Sequence, residues 1–182
     1  SAQGGVTVPR YVAFLRAINV GGRVVKMDRL RALFMELDLA NPETFIASGN
    51  VLFESKVKAL AGLERRIEAH LASALGYEVA TFVRQHDSLL SLLDGHPYES
   101  HADDGHTLQI GFLKGTPGPS QLEGLKALET PTDEFHLRDR SLYWLLRMKF
   151  NETKITTAKL ERVLGGPVTF RNITSIRRLV ER

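Results

Sequence analysis

Apolar residues crowd and alternate from Tyr11 to Ile18, a pattern that predicts a strand entering a core. Asn19-Val20-Gly21-Gly22-Arg23 breaks it with glycine punctuation. Met27, Leu30, Leu33, Phe34 and Leu37 then follow helical spacing, with Asp28 as a cap near the start. After Asn41-Pro42 a short strand over 44–47 leads into Ser48-Gly49-Asn50, a tight-turn signal, and Val51-Leu52-Phe53 returns as its hairpin partner. Leu60, Leu63, Ile67, Leu71 and Leu75 keep one stripe along a long helix that Gly76 ends, and residues 77–83 read as a strand. The order β-α-β-β-α-β is the split-βαβ, ferredoxin-like arrangement.

The second half carries weaker signals. A short helix is expected over 87–93, a polar loop over 96–105, and a strand over 108–113 closed by Gly115 and Pro117. A helix over 121–128 follows, then a hairpin of 135–137 and 142–148 around Asp139-Arg140-Ser141. A helix over 155–164 stops at Gly165-Gly166-Pro167, before a short strand over 168–170 and a basic helix over 175–181. The fold class is therefore α+β, with a ferredoxin-like subdomain at 10–84 and a second small α+β unit at 85–182. Residues 1–9 are expected to form a loose tail or an expression remnant. No internal repeat or low-complexity segment is visible, and no flexible linker parts the halves, so they are expected to pack together.

Charge and composition narrow the function classes. The 182 residues are 43% apolar and contain no cysteine, which removes disulfides, cysteine-based zinc sites and thiol nucleophiles together. A reducing compartment, the cytoplasm, fits that usage. No apolar run is long enough to span a bilayer, so no membrane partner is expected. The net charge of +3 is unevenly spread: residues 1–84 sum to +3, residues 85–137 to −7 and residues 138–182 to +7. The basic C-terminal part could meet nucleic acid or an anionic ligand, or could neutralise the acidic middle.

In a ferredoxin-like unit the first two strands run the same way, so the loop after the first and the hairpin after the second share one end of the sheet. That brings Arg16, Asn19, Gly21, Gly22 and Lys26 toward Ser48, Gly49 and Asn50, with Arg23 adding charge beside Arg16 and Lys26. Glycine lets backbone N–H groups approach an anion closely, and arginine adds a bidentate donor. The spacing matches neither a P-loop nor a dinucleotide fingerprint. Without a ligand, the same residues would simply turn the chain and close a hairpin. Arg171 and Asn172 could complete an anion pocket if this segment folds back onto the first subdomain, or Asn172 or Thr174 could simply cap the last helix.

Other chemistries find less support. His96, His101 and His106 beside Asp103 and Asp104 match no common metal spacing, and no metal or cofactor is expected. No nucleophile elbow surrounds Ser48, and Asp87, Glu99 and Asp133 have no telling spacing. Asn50-Val51-Leu52-Phe53-Glu54 lacks the aromatics of an RNA-recognition strand, and Trp144 reads as core.

Phe14-Leu15-Arg16-Ala17-Ile18-Asn19-Val20-Gly21-Gly22, then Lys26-Met27 and Leu30-Arg31, then Ala47-Ser48-Gly49-Asn50-Val51-Leu52-Phe53 resemble the bacterial domain-of-unknown-function 1697 family. Thr157-Ala158-Lys159-Leu160-Glu161 and Val168-Thr169-Phe170-Arg171-Asn172 with Thr174 resemble its closing motif, although Ile173 stands where that family commonly has Trp. The resemblance implies two α+β subdomains, the first ferredoxin-like, and no particular activity. The leading expectation is a binding module for a small anionic or phosphorylated ligand. The alternatives are nucleic-acid binding through the basic segment, an enzyme on a phosphorylated substrate, and a protein-interaction module.

Overall fold

A computed structural model of the chain describes residues 8–19, 21–46, 49–98, 107–147 and 152–182. The chain divides into two compact units, Ser1–Leu89 and Leu90–Arg182.

The first unit contains β1 (Arg10–Leu15), α1 (Met27–Met35), β2 (Ala40–Thr44), β3 (Asn50–Glu54), α2 (Leu60–Leu75) and β4 (Thr81–Gln85). Strand β4 runs directly into α3 (His86–Leu93), within which the unit boundary falls. The strands form one antiparallel sheet in the order β2-β3-β1-β4, the ferredoxin-like order. Leu63, Ile67 and Leu71 on α2 and Leu30, Leu33 and Phe34 on α1 pack with Tyr11, Ala13, Leu15, Val51, Phe53 and Val83. Gly76 ends α2 in the left-handed conformation, at φ +81°.

Three local expectations shift. Strand β1 stops at Leu15 rather than Ile18, because Ala17 turns left-handed at φ +56°. The N-cap of α1 is Lys26, with no side-chain cap, and Asp28 instead pairs with Arg31. Strand β2 runs straight through Asn41-Pro42, which the sequence reading takes as a break. It is an edge strand, where a missing N–H costs no ladder bond, and a register shift between Ala40 and Glu43 absorbs the irregularity.

The second unit contains β5 (Thr107–Leu113), α4 (Pro119–Leu128), β6 (Asp133–Arg138), β7 (Ser141–Leu146), α5 (Thr157–Leu164), β8 (Val168–Asn172) and α6 (Ile173–Val180). Its sheet order is β6-β7-β5-β8, so the first unit's topology recurs, including the final helix joined directly to the last strand. The registers match as well. Leu15 faces Thr81 and Val12 faces Arg84; Leu113 faces Val168 and Ile110 faces Arg171. Phe14-Leu15-Arg16 thus corresponds to Phe112-Leu113-Lys114. Arg84, Ser88, Leu89 and Leu92 correspond to Arg171, Ser175, Ile176 and Leu179. This duplication escapes a search for repeats because unequal loops leave no fixed period.

Trp144, fully buried, packs between Phe135 and Phe170 as core. Its Nε1 donates to Asp133 Oδ1 at 3.0 Å, and Thr153 donates to the same oxygen at 2.8 Å. Thr130 and Thr132 donate to Asp133 Oδ2 at 2.6 and 3.1 Å. Burial alone would raise the Asp133 pKa, but the four donors outweigh it and hold the group below its ordinary 3.8. A depressed folded-state pKa contributes stability that is fully present above the unfolded value. That contribution is lost as pH falls through the folded one. Asp133→Ala is expected to cost on the order of 2–4 kcal/mol, since it strands these donors. The variant should lose less stability than the wild type when the pH drops below about 4, as read from urea midpoints at pH 6 and below.

Candidate functional site

The last amides of β1 tie three connections together. Leu15 N–H donates to Gly49 O in the β2–β3 hairpin, and Arg16 N–H to Ala80 O in the loop before β4, each at 2.9 Å. Tyr77 Oη donates to Ile18 O at 2.8 Å. Arg16, Gly49 and Asn50 therefore share one end of the sheet, as the strand order requires. Ser48, with Val20 and Ala47 beside the two loops, lies outside the described residues.

The two asparagines serve the backbone. Asn19 Oδ1 accepts from Val25 N–H at 2.8 Å and closes the loop before α1. Asn50 is 2% exposed and donates through Nδ2 to Phe45 O at 3.0 Å and Ile46 O at 3.3 Å, bracing the hairpin from inside. Gly21 and Gly22 sit at φ +66° and +80°, exposed, with nothing near the position a Cβ would take. Their glycine character is a backbone requirement.

Beside this loop an open cavity of about 440 Å³ lies between the start of α1 and the end of α2, lined by Arg23, Val24, Val25, Arg29, Leu75 and Tyr77 among others. The Arg23 guanidinium stacks over the Tyr77 ring, 4.4 Å from its centroid. Arg29 Nη2 donates to Ala74 O at 2.9 Å, which holds the guanidinium at the cavity wall. Lys26 is exposed at the helix entry. Among the described residues, no carboxylate pairs with Arg23, Lys26 or Arg29.

Arg171 and Asn172 belong to the second unit, at the end of β8. Asn172 caps α6 by accepting from Ser175 N–H at 2.7 Å. Arg171 Nη1 donates to Thr169 Oγ1 and Phe170 O, both at 2.8 Å. Burial pushes its pKa down to about 10, so it stays charged at neutral pH. His96, expected in a solvated loop, is 6% exposed and its Nδ1 accepts from Tyr98 N–H at 3.2 Å, while residues 99–106 lie outside the described residues. Among the described residues, no group of three His, Asp or Glu could hold a metal, and no helix is long and apolar enough to cross a membrane.

Arg29 and Tyr77 are cavity residues that sequence reasoning passes over. Arg29 had a signal: residues 16–31 contain five Lys and Arg and one acidic residue, Asp28. Tyr77 had none, because it reaches this loop only through the packing of α2.

The loops carry measurable strain. Ala17 is left-handed without being glycine, so Ala17→Gly is expected to stabilise by roughly 0.5–1 kcal/mol. Asn50→Ala leaves two carbonyls without their donor and should cost about 1–3 kcal/mol. Chemical denaturation of the two variants reads both, and a destabilised Ala17→Gly would disprove the strain assignment.

Fold and site together define a duplicated ferredoxin-like protein with a cationic, glycine-bearing end on its first sheet. The chain belongs to the DUF1697 family, proteins of unknown function, whose model matches residues 8–143. The match ends within β7, so the motifs at 157–161 and 168–174 lie beyond it. The solved structure of the conserved bacterial protein SP0830 from Streptococcus pneumoniae is similar at a TM-score of 0.75, over 96% of this chain and 98% of that one. The two share 22% identity, so the likeness is one of fold. No curated protein matches the chain.

Proposed function

We propose that the first unit is a binding module for a small anionic, phosphorylated ligand, held where the α1 entry loop meets the end of α2. We read the chain as a bacterial cytoplasmic protein on the same footing. One observation carries the reading: the cavity has two arginines in its wall and no carboxylate among its lining residues. The only acidic residue between Arg16 and Arg31 is already paired with Arg31. Both guanidinia are oriented in advance, Arg23 by a ring and Arg29 by a carbonyl, which lowers the entropy lost on binding. The ammonium of Lys26 extends the cationic surface, with Gly21 and Gly22 exposed beside it. The cavity volume falls within the ordinary range for small-molecule sites. In this reading Asn19 and Asn50 shape the site rather than touch the ligand.

Thermal shifts against inorganic phosphate, sugar phosphates, nucleotides and short oligonucleotides, at low and physiological salt, test the proposal. One phosphorylated compound should raise Tm by roughly 5–10 °C at about a hundredfold excess over its Kd. Arg23→Ala and Arg29→Ala should each weaken it about tenfold to a hundredfold, with Tm of the unliganded protein nearly unchanged. A flat panel sinks the proposal. A shift from oligonucleotides alone, fading with salt, would move the assignment to nucleic acid.

A further inference from the structure

The cavity of the first unit has a counterpart in the second. There the loop after β5 (Lys114, Gly115, Thr116 and Pro117), Gln121 on α4 and the end of α5 (Leu164–Pro167) enclose about 180 Å³. The pieces correspond. Lys114 occupies the register position of Arg16, although Arg16 itself does not line the first cavity. Gln121 is the third residue of α4, as Arg29 is the third residue of α1. Leu164-Gly165-Gly166 ends α5 through a left-handed glycine as Leu75-Gly76-Tyr77 ends α2. No carboxylate lines this cavity either.

Two of its three glycines are not explained by the fold. Gly165 needs its left-handed φ of +76° to end α5. Gly115 and Gly166 are not in the left-handed region, and a Cβ on either would meet nothing within 4 Å. Neither backbone conformation nor crowding calls for glycine at these two positions. The effect of having glycine there is a wall of bare backbone facing open space. Gln121 is also fixed in sense. Its Oε1 accepts from Gly118 N–H, so its Nε2 donors turn toward Gly165 and the cavity.

We infer that this cavity is a second anion site, sized for a single phosphate-class oxyanion: inorganic phosphate or the phosphoryl group of a small ester. Lys114 supplies the point charge, Gln121 Nε2 and Thr116 Oγ1 supply donors, and the glycines let backbone approach the oxyanion. The inference stands on the second unit's own cavity and does not require a ligand at the first.

Backbone amide NMR, titrated separately with inorganic phosphate, glycerol phosphate and chloride, reads both units in one experiment. Saturable shifts at 114–116, 118 and 164–166 with phosphate or its ester, and not with chloride, are expected. A response to the ester but not to the free ion would identify a phosphoryl group as the ligand. Gly115→Ala and Gly166→Ala should keep or raise Tm, since glycine is not needed there, and yet weaken those shifts by holding the oxyanion off the backbone. Gln121→Glu keeps the acceptor for Gly118 but turns a carboxylate oxygen inward, and should abolish them. No saturable shift at these residues, an equal response to chloride, or alanine variants that bind like the wild type would each overturn the inference. A response confined to residues 21–29 would remove this site and leave the first unit's; the reverse pattern would remove the first and keep this one.

Discussion

Strand β1 lies between two antiparallel partners, and that placement fixes where every connection of the first unit can go. Its residues from Tyr11 to Leu15 are at most 2% exposed, so both of its faces and both of its edges are occupied. A strand apolar on both faces cannot set its register by alternation alone. Here the register is pinned at the strand's end, where Leu15 and Arg16 donate to different loops. The same two bonds that stop β1 from sliding gather the hairpin and the loop before β4 around Arg16. Structure and candidate site therefore share one set of hydrogen bonds, and Ala17, left-handed just beyond them, turns the chain toward the cationic loop.

A four-stranded sheet leaves outward amides on its edge strands, and in both units glutamates meet them. Glu64 and Glu68, one turn apart on α2, accept from Val83 N–H at 2.7 Å and Thr81 N–H at 3.1 Å on edge strand β4. Glu161 on α5 accepts from Val168 N–H of β8, and Glu129 from Phe135 N–H of β6, each at 3.3 Å. Edge strand β2 is blunted instead by Pro42 and its register shift. Glu64 is buried, and Arg84 Nη1 lies 3.6 Å from it, so this cap is an ion pair withdrawn from water. Its geometry matters more than its charge, since desolvation offsets much of the Coulomb attraction.

The first unit is legible in the sequence because its periods are clean: a five-residue apolar strand, a stripe from Leu60 to Leu75, and Gly76 at a position only glycine fits well. Strand β2 is misplaced because Asn41-Pro42 signals a break anywhere except on an edge, and edge position is a property of the whole sheet. The second unit reads as α+β but not as a repeat, because the matching residues are few and the loops between them differ. Arg16, Gly49 and Asn50 are legible as a group since strand order alone brings them together. Arg29 and Tyr77 are not, because Arg29 meets Ala74 and Tyr77 meets Ile18 only once α1 and α2 have packed on the sheet.

The two units also allow what the topology requires to be separated from what has been added. Both keep a left-handed glycine after the second helix, and a strand-end arginine that donates to the preceding carbonyl, Arg84 to Val83 and Arg171 to Phe170. The connections at the end of the sheet are not kept. The first strand reaches its helix over residues 16–26 in one unit and 114–118 in the other. The hairpins span 45–49 and 139–140, and the loops into the last strand 76–80 and 165–167. The second unit closes the same fold with the shorter connection each time. The extra length in the first unit is therefore not needed to join its elements, and it raises the conformational entropy that folding must overcome. The longest of these additions contains Gly21, Gly22, Arg23 and Lys26. Its Asn19 side chain clasps Val25 N–H, and Arg23 lies on Tyr77, so part of that entropy is offset by bonds that order the loop without covering its cations. The loop is thus longer than the topology needs, ordered by its own contacts and cationic at the surface, and it is this loop that forms one wall of the cavity in the first unit.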